Sequence, residues 1–209
     1  VSAGTAAGTY VYPYSICTLP ATTPTATCDT ANATVVVTAA TIDAVADASS
    51  TPANTAVITD VLANDTNNGG TINAGSVVVT VPSANGTTSV NPATGAITFT
   101  PTAGFSGTTT YTYQVCLAAP NAAICDTAVV TVTVSATIDA AADDFSATPI
   151  NGGNGGTTAS IITNDTTNGV AAVIGTNVTL TPGASPNAGL VMNADGTITV
   201  SAGTAAGTY

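Results

Sequence analysis

The ten residues Val1-Ser-Ala-Gly-Thr-Ala-Ala-Gly-Thr-Tyr10 recur unchanged at Val200–Tyr209. Identity over ten positions is beyond chance even in a biased composition. The chain therefore reads as one period of a longer tandem array, cut at an arbitrary phase. It starts at Val1 rather than Met, and no signal-peptide pattern opens it, which marks it as a processed chain or an excised segment.

A weaker repeat lies inside that period. Thr41-Ile-Asp43-Ala-Val-Ala-Asp47 matches Thr137-Ile-Asp139-Ala-Ala-Ala-Asp143. Val61-Leu-Ala-Asn-Asp65-Thr matches Ile161-Ile-Thr-Asn-Asp165-Thr, and Gly95-Ala-Ile-Thr-Phe-Thr100 matches Gly196-Thr-Ile-Thr-Val-Ser201. Gly107–Cys116 aligns with Gly8–Cys17 without a gap, and Cys125-Asp-Thr-Ala aligns with Cys28-Asp-Thr-Ala. The order of the matches sets the phase. Residues 40–135 hold one complete unit, 136–209 the first part of another, and 1–39 the last strands of a preceding one. Each complete unit has the length of a small β-sandwich.

Composition narrows the chemistry. The 209 residues include 11 Asp and no Glu, Lys, Arg, His or Trp, for a formal net charge of -11. No basic patch can form, so nucleic acid is excluded as a partner. There is no His for a triad and no Lys for a Schiff base or an isopeptide staple; acid–base work would rest on Asp, Tyr and Cys alone. An enzyme is therefore not expected. Mean hydropathy is +0.42 with only 5% charged residues, unlike a disordered acidic tail. The longest apolar runs, Val115–Ala119 and Val170–Ile174, fall far short of the roughly 20 residues that span a bilayer.

Val, Thr and Ala with Gly, Asn and Pro punctuation predict short strands. Within the complete unit these are expected near 43–47, 56–62, 76–81, 87–90, 96–100, 108–116 and 125–134, giving a Greek-key sandwich. Asn67-Asn-Gly-Gly70, Asn85-Gly86 and Thr94-Gly95 read as turns that use positive φ. Alternation puts Tyr111, Tyr113 and Val115 on a core face, and Ala128, Val130, Val132 and Val134 on the core side of the final strand. The corresponding Tyr10, Tyr12 and Tyr14 are expected to point into a core as well.

The four cysteines form two local pairs, Cys17 with Cys28 and Cys116 with Cys125. Each closes a hairpin-sized loop on the more polar face. Disulfide staples are expected, which implies an oxidising compartment; free thiols and a metal site are the other readings. With no cation available, every Asp must be solvated, hydrogen-bonded to backbone N–H or bound to a metal. Asp43, Asp47, Asp139, Asp143 and Asp144 open the units, and Asp65 and Asp165 sit in Asn-Asp-Thr turns. Calcium held by these seven carboxylates and turn capping by the same side chains both remain open.

The Ala-x-Asp opening, the Val-Leu-Ala-Asn-Asp-Thr turn, Gly-Ala-Ile-Thr-Phe-Thr-Pro and Phe-Ser-Gly-Thr-Thr-Thr-Tyr-Thr-Tyr together resemble bacterial Ig-like/cadherin-like tandem repeats of giant surface adhesins. The run Ala-Gly-Thr-Tyr…Ile-Cys…Cys-Asp-Thr-Ala is similar to gliding-motility adhesins of the SprB type in Bacteroidetes. The resemblance implies an all-β rod of Ig-like/cadherin-like sandwiches, exported to the outer surface by the type IX system. Where such repeats place paired acids, Ala48 follows Asp47 here. The expected function is a stiff, disulfide-stapled stalk of an extracellular adhesin or filament on the bacterial cell surface. Its partners would be neighbouring repeats, with an extracellular surface or polysaccharide engaged through other regions. A carbohydrate- or surface-binding module and a self-assembling filament subunit are the alternatives.

Overall fold

A computed structural model of the chain describes residues 1–2, 4–18 and 27–209. These are entirely β and turn. β1 (Gly8–Cys17) and β2 (Cys28–Val37) form an antiparallel hairpin. Nine strands follow: β3 (Thr41–Asp43), β4 (Asp47–Pro52), β5 (Val57–Thr59), β6 (Thr66–Asn68), β7 (Ile72–Val81), β8 (Gly86–Val90), β9 (Ile97–Pro101), β10 (Gly107–Leu117) and β11 (Cys125–Ser135). The remainder is shorter: β12 (Ile138–Asp139), β13 (Gly156–Thr157), β14 (Thr166–Thr167), β15 (Val170–Ala171), β16 (Leu190–Met192) and β17 (Ile198–Val200).

β3–β11 make a two-layer sandwich. One layer has the order β4-β11-β10-β7, the other β5-β9-β8, and β3 pairs with β6 beside them. The alternation Thr-Val in β11 and Thr-Tyr in β10 sends Val130, Val132, Tyr111, Tyr113 and Val115 inward at 1% exposure or less. Ile97, Phe99, Val61 and Leu117 meet them, equally buried. The Phe99 and Tyr111 rings stack at 6.1 Å and 16°. An inward-facing apolar stripe on each sheet is what a sandwich requires, and it explains why residues with few large side chains still enclose a core.

Three local readings need correction. Residues 43–47 are not one strand. The chain leaves the ladder after Asp43 and re-enters at Asp47, because carboxylates take the intervening backbone donors: Asp126 Oδ2 accepts from Ala44 N at 2.9 Å and Asp65 Oδ1 from Val45 N at 2.8 Å. Asp47–Pro52, which carries no apolar pattern, forms β4, a parallel edge strand against β11. Part of the Asn67-Asn-Gly-Gly70 turn pairs instead as β6. Gly86 lies within a strand and has no positive φ. Glycine is needed there for room, since a Cβ would overlap the Phe99 ring and the Thr100 carbonyl. Gly95 does adopt positive φ, at 78°.

The two copies of the decapeptide share one local geometry. Thr5 N and Thr204 N each bond the carbonyl three residues back at 3.2 Å, Tyr10 and Tyr209 each donate to the carbonyl four residues back at 2.8 Å, and Gly4 and Gly203 have φ of 86° and 85°. They differ where a partner strand is required: Gly8–Tyr10 enters β1, while Gly207–Tyr209 forms no strand.

Candidate functional site

Two groups of side chains carry what chemistry the chain has. The first is the pair of cystines. Cys17 bonds Cys28 and Cys116 bonds Cys125, each joining directly opposed residues at the end of a hairpin ladder. Cys125 is exposed and Cys116 half-buried, so the bridge lies outside the core.

The second group is the carboxylates. Asp65 accepts from Val45 N, and the Tyr113 hydroxyl lies 2.9 Å from its Oδ1 and 3.1 Å from its Oδ2. The same hydroxyl is 2.9 Å from Val61 O. Burial, reinforced by Asp65, holds the Tyr113 phenol well above its ordinary range. Asp165 repeats the backbone bond, accepting from Ala141 N at 2.8 Å. The Asn64 amide reaches Ala46 O at 3.2 Å. Each Asn-Asp-Thr turn thus pins the opening segment of its own stretch of chain. Asp43 and Asp139 sit in equivalent ladder positions, opposite Thr66 and Thr166. Asp143 lies in a loop beyond β12. Asp144 caps Ser146 N at 2.8 Å, which holds its carboxyl below the usual range.

Calcium needs roughly six to eight oxygen ligands. Among the described residues no three acidic side chains converge as a metal-binding group. Asp65 and Asp165 already accept from backbone N–H. The bonds that Asp65, Asp165 and Asp144 make are those of turn capping. Moving the protein from a chelator into millimolar calcium is accordingly expected to leave its melting temperature unchanged, as read by circular dichroism.

Asp47 stands apart. Its Oδ2 is buried without a hydrogen-bond partner. Desolvation, then the Asp65 charge, pushes its carboxyl up to about 6. A carboxyl raised in the folded state binds its proton more tightly there than in the unfolded chain. Its contribution to stability is therefore complete below the ordinary value of 3.8 and is lost as pH rises through about 6. Asp47→Asn keeps the neutral shape. Melting temperature followed from about pH 4 to 7 should fall in the parent and stay nearly flat in the variant.

The tyrosines divide against expectation. Tyr111 and Tyr113 are buried, whereas Tyr10, Tyr12 and Tyr14 are 44%, 72% and 45% exposed. The cause is packing, not pattern: among the described residues no second layer covers β1–β2. At its base lies an open recess of about 420 Å³ against Gly69, Gly70 and Ala118–Asn121, whose described lining carries no ionisable side chain. Residues 136–209 meet the central sandwich through asparagines. Asn54 donates to Asn168 O, and Asn168 Nδ2 bonds Gly104 O at 3.2 Å and Ser106 Oγ at 3.1 Å. Both asparagines take positive φ, at 60° and 49°. Sequence reading missed this junction, although Asn beside Gly at 168–169 is a signal for it.

These features define a disulfide-bearing β-sandwich module. Residues 22–133, just over half of the chain, match the family described as bacterial Ig domain, and the chain belongs to that family. Searches of curated proteins and of solved structures returned no significant match. Such domains are generally structural and non-enzymatic, and with two cystines they suit an extracellular or surface protein. Among the described residues no helix is long and apolar enough to cross a membrane.

Proposed function

We propose that the chain is a repeat segment of a large bacterial surface adhesin or filament, a stiff stalk that holds a binding tip away from the cell for attachment or gliding. The carrying observation is structural recurrence in series. The Asp65–Val45 and Asp165–Ala141 bonds, the Asp43 and Asp139 ladder positions and both decapeptide turns repeat along one chain. Repetition of one small sandwich with short links gives a quasi-one-dimensional array whose neighbours support each other. In this reading residues 40–135 are one unit, flanked by parts of two others. Small-angle scattering extrapolated to zero concentration is expected to give an elongated particle; a compact one would overturn the stalk. The exposed Tyr12 and Tyr14 favour a second reading, a sugar-binding platform, which capture on a glycan array would support.

A further inference from the structure

The link between the central sandwich and the strands that follow it is short and pinned. β11 ends at Ser135 and β12 begins at Ile138, which leaves only Ala136 and Thr137 between them. Thr137 N donates to Asn168 Oδ1 at 2.8 Å, and Thr137 O accepts from Asn168 N at 2.8 Å, so both backbone polar groups of Thr137 close on one residue. The Thr167 hydroxyl donates to the same carbonyl at 3.2 Å. The link is thereby fastened to the turn between β14 and β15. Asn168 and Gly169 form that turn at φ of 49° and 68°, the two-residue hairpin geometry that Asn-Gly favours.

The central sandwich meets the same turn through a closed ring of hydrogen bonds. Asn54 Nδ2 donates to Asn168 O, Asn168 Nδ2 donates to Gly104 O at 3.2 Å, and Gly104 N donates to Asn54 Oδ1 at 3.4 Å. Each residue of the ring gives one bond and receives one. Asn168 Nδ2 also reaches Ser106 Oγ at 3.1 Å. Asn168 thus uses its backbone N–H, its carbonyl and both ends of its amide, and it is 9% exposed. The ring members of the central unit are themselves anchored. Ala53 N donates to Ser135 O at 2.9 Å, which ties the Asn54 turn to the end of β11, and Phe105, beside Gly104, packs on the core. Gly169 has to be glycine, because a Cβ there would fall on the Asn54 amide nitrogen. The Val170 side chain lies over Gly104, 3.4 Å from where a Cβ would stand.

We infer that this ring is a rigid joint: Asn54 and residues 104–106 of one unit form a seat for the Asn-Gly turn of the next, and the seated turn fixes the angle between the two. Linked domains move relative to each other by default when the interface between them is small and polar. Chemistry overrides that default here, not area. A polar network in which every member is satisfied holds one arrangement, because rotation leaves an amide or a carbonyl unpaired. The seat is selective for the same reason. Gly104 O and Ser106 Oγ accept and Asn54 Nδ2 donates, so the guest must offer a donating side chain beside an accepting backbone carbonyl, in the left-handed conformation. Asparagine meets all of these demands. Aspartate tolerates the backbone shape and keeps the bond from Thr137 N, yet turns an oxygen toward Gly104 O. Every group in the network is an amide or a hydroxyl, so ionic strength leaves the joint in place. In the array read above, on which this part of the inference rests, the joint returns once per period and stiffens the stalk at that point.

Residual dipolar couplings of the backbone amides, measured on the whole chain in a neutral aligning medium, test the joint. In the parent, couplings from residues 41–135 and from 138–200 should fit a single alignment tensor. Asn168→Asp and, separately, Asn54→Gly should each lose that common tensor, with the couplings of 138–200 shrinking relative to those of 41–135. Asn54→Gly changes an exposed residue, keeps positive φ accessible and alters nothing in 136–209. Native amide shifts in β10 and β11 report an intact central sandwich in each variant. Two tensors in the parent overturn the inference, as does a common tensor that survives both substitutions. So does unfolding of 138–200 by Asn54→Gly alone, because the contact would then hold up the fold and not the angle. The stalk reading is judged apart. An elongated parent with two tensors keeps the stalk and loses the joint, and a compact parent with one tensor does the reverse.

Discussion

Replacing Phe99 with alanine is expected to lower the stability of the central sandwich by about 3–5 kcal/mol. Phe99 is fully buried and stacks on Tyr111. Its ring also lies directly over Gly86, so the strand beneath is already as close as backbone allows. The hole left by alanine cannot collapse without moving β8 or β10. A domain of this size has about 5–15 kcal/mol of stability in total, so the loss takes a large share. Urea unfolding should show a lower midpoint at unchanged slope. Tyr12→Ala serves as the control. It removes an aromatic from the matching face of β1, where it is 72% exposed, and should leave the main transition within about 0.5 kcal/mol. Equal losses in the two variants would refute the packing argument.

The paired change Cys116→Ser with Cys125→Ser is expected to cost about 3 kcal/mol, while Cys17→Ser with Cys28→Ser leaves the main unfolding transition in place. Loop closure alone would make the two equal, since the cystines span sequence separations of 9 and 11. They differ in what they hold. The first bridge closes β10–β11, whose side chains form half of the core. The second closes a hairpin whose residues are almost all exposed, so its fraying costs no buried surface in the same molecule. Differential scanning calorimetry of the two variants separates these contributions.

Much of the central sandwich is legible from residue order, because strand alternation is a local property. Thr110-Tyr111-Thr112-Tyr113 and Val130-Thr131-Val132 state their inward faces directly, and the structure buries those side chains. β4 was not legible. Asp-Ala-Ser-Ser-Thr-Pro has no apolar period, and it becomes a strand only because β11 offers it an edge. The break at Ala44–Ala46 was equally hidden, since the carboxylate that accepts from Ala44 N comes from Asp126, 82 residues away. For Asp65 residue order left calcium and turn capping side by side, and it could not show that the Val45 N–H and the Tyr113 hydroxyl lie against the carboxylate.

The residues alone settled the lack of side-chain ion pairs and the repeat. A chain without Lys, Arg or His has no side-chain ion pairs at any fold, and the identical decapeptides adopt the same turn at both ends because that turn closes on its own neighbours. Tertiary structure alone decided which copy of a motif is inside. Tyr111 and Tyr12 stand at the same register position of matching hairpins, yet one is sealed and the other faces water. Burial is a property of what lies opposite, and among the described residues an opposing layer covers β10–β11 and not β1–β2.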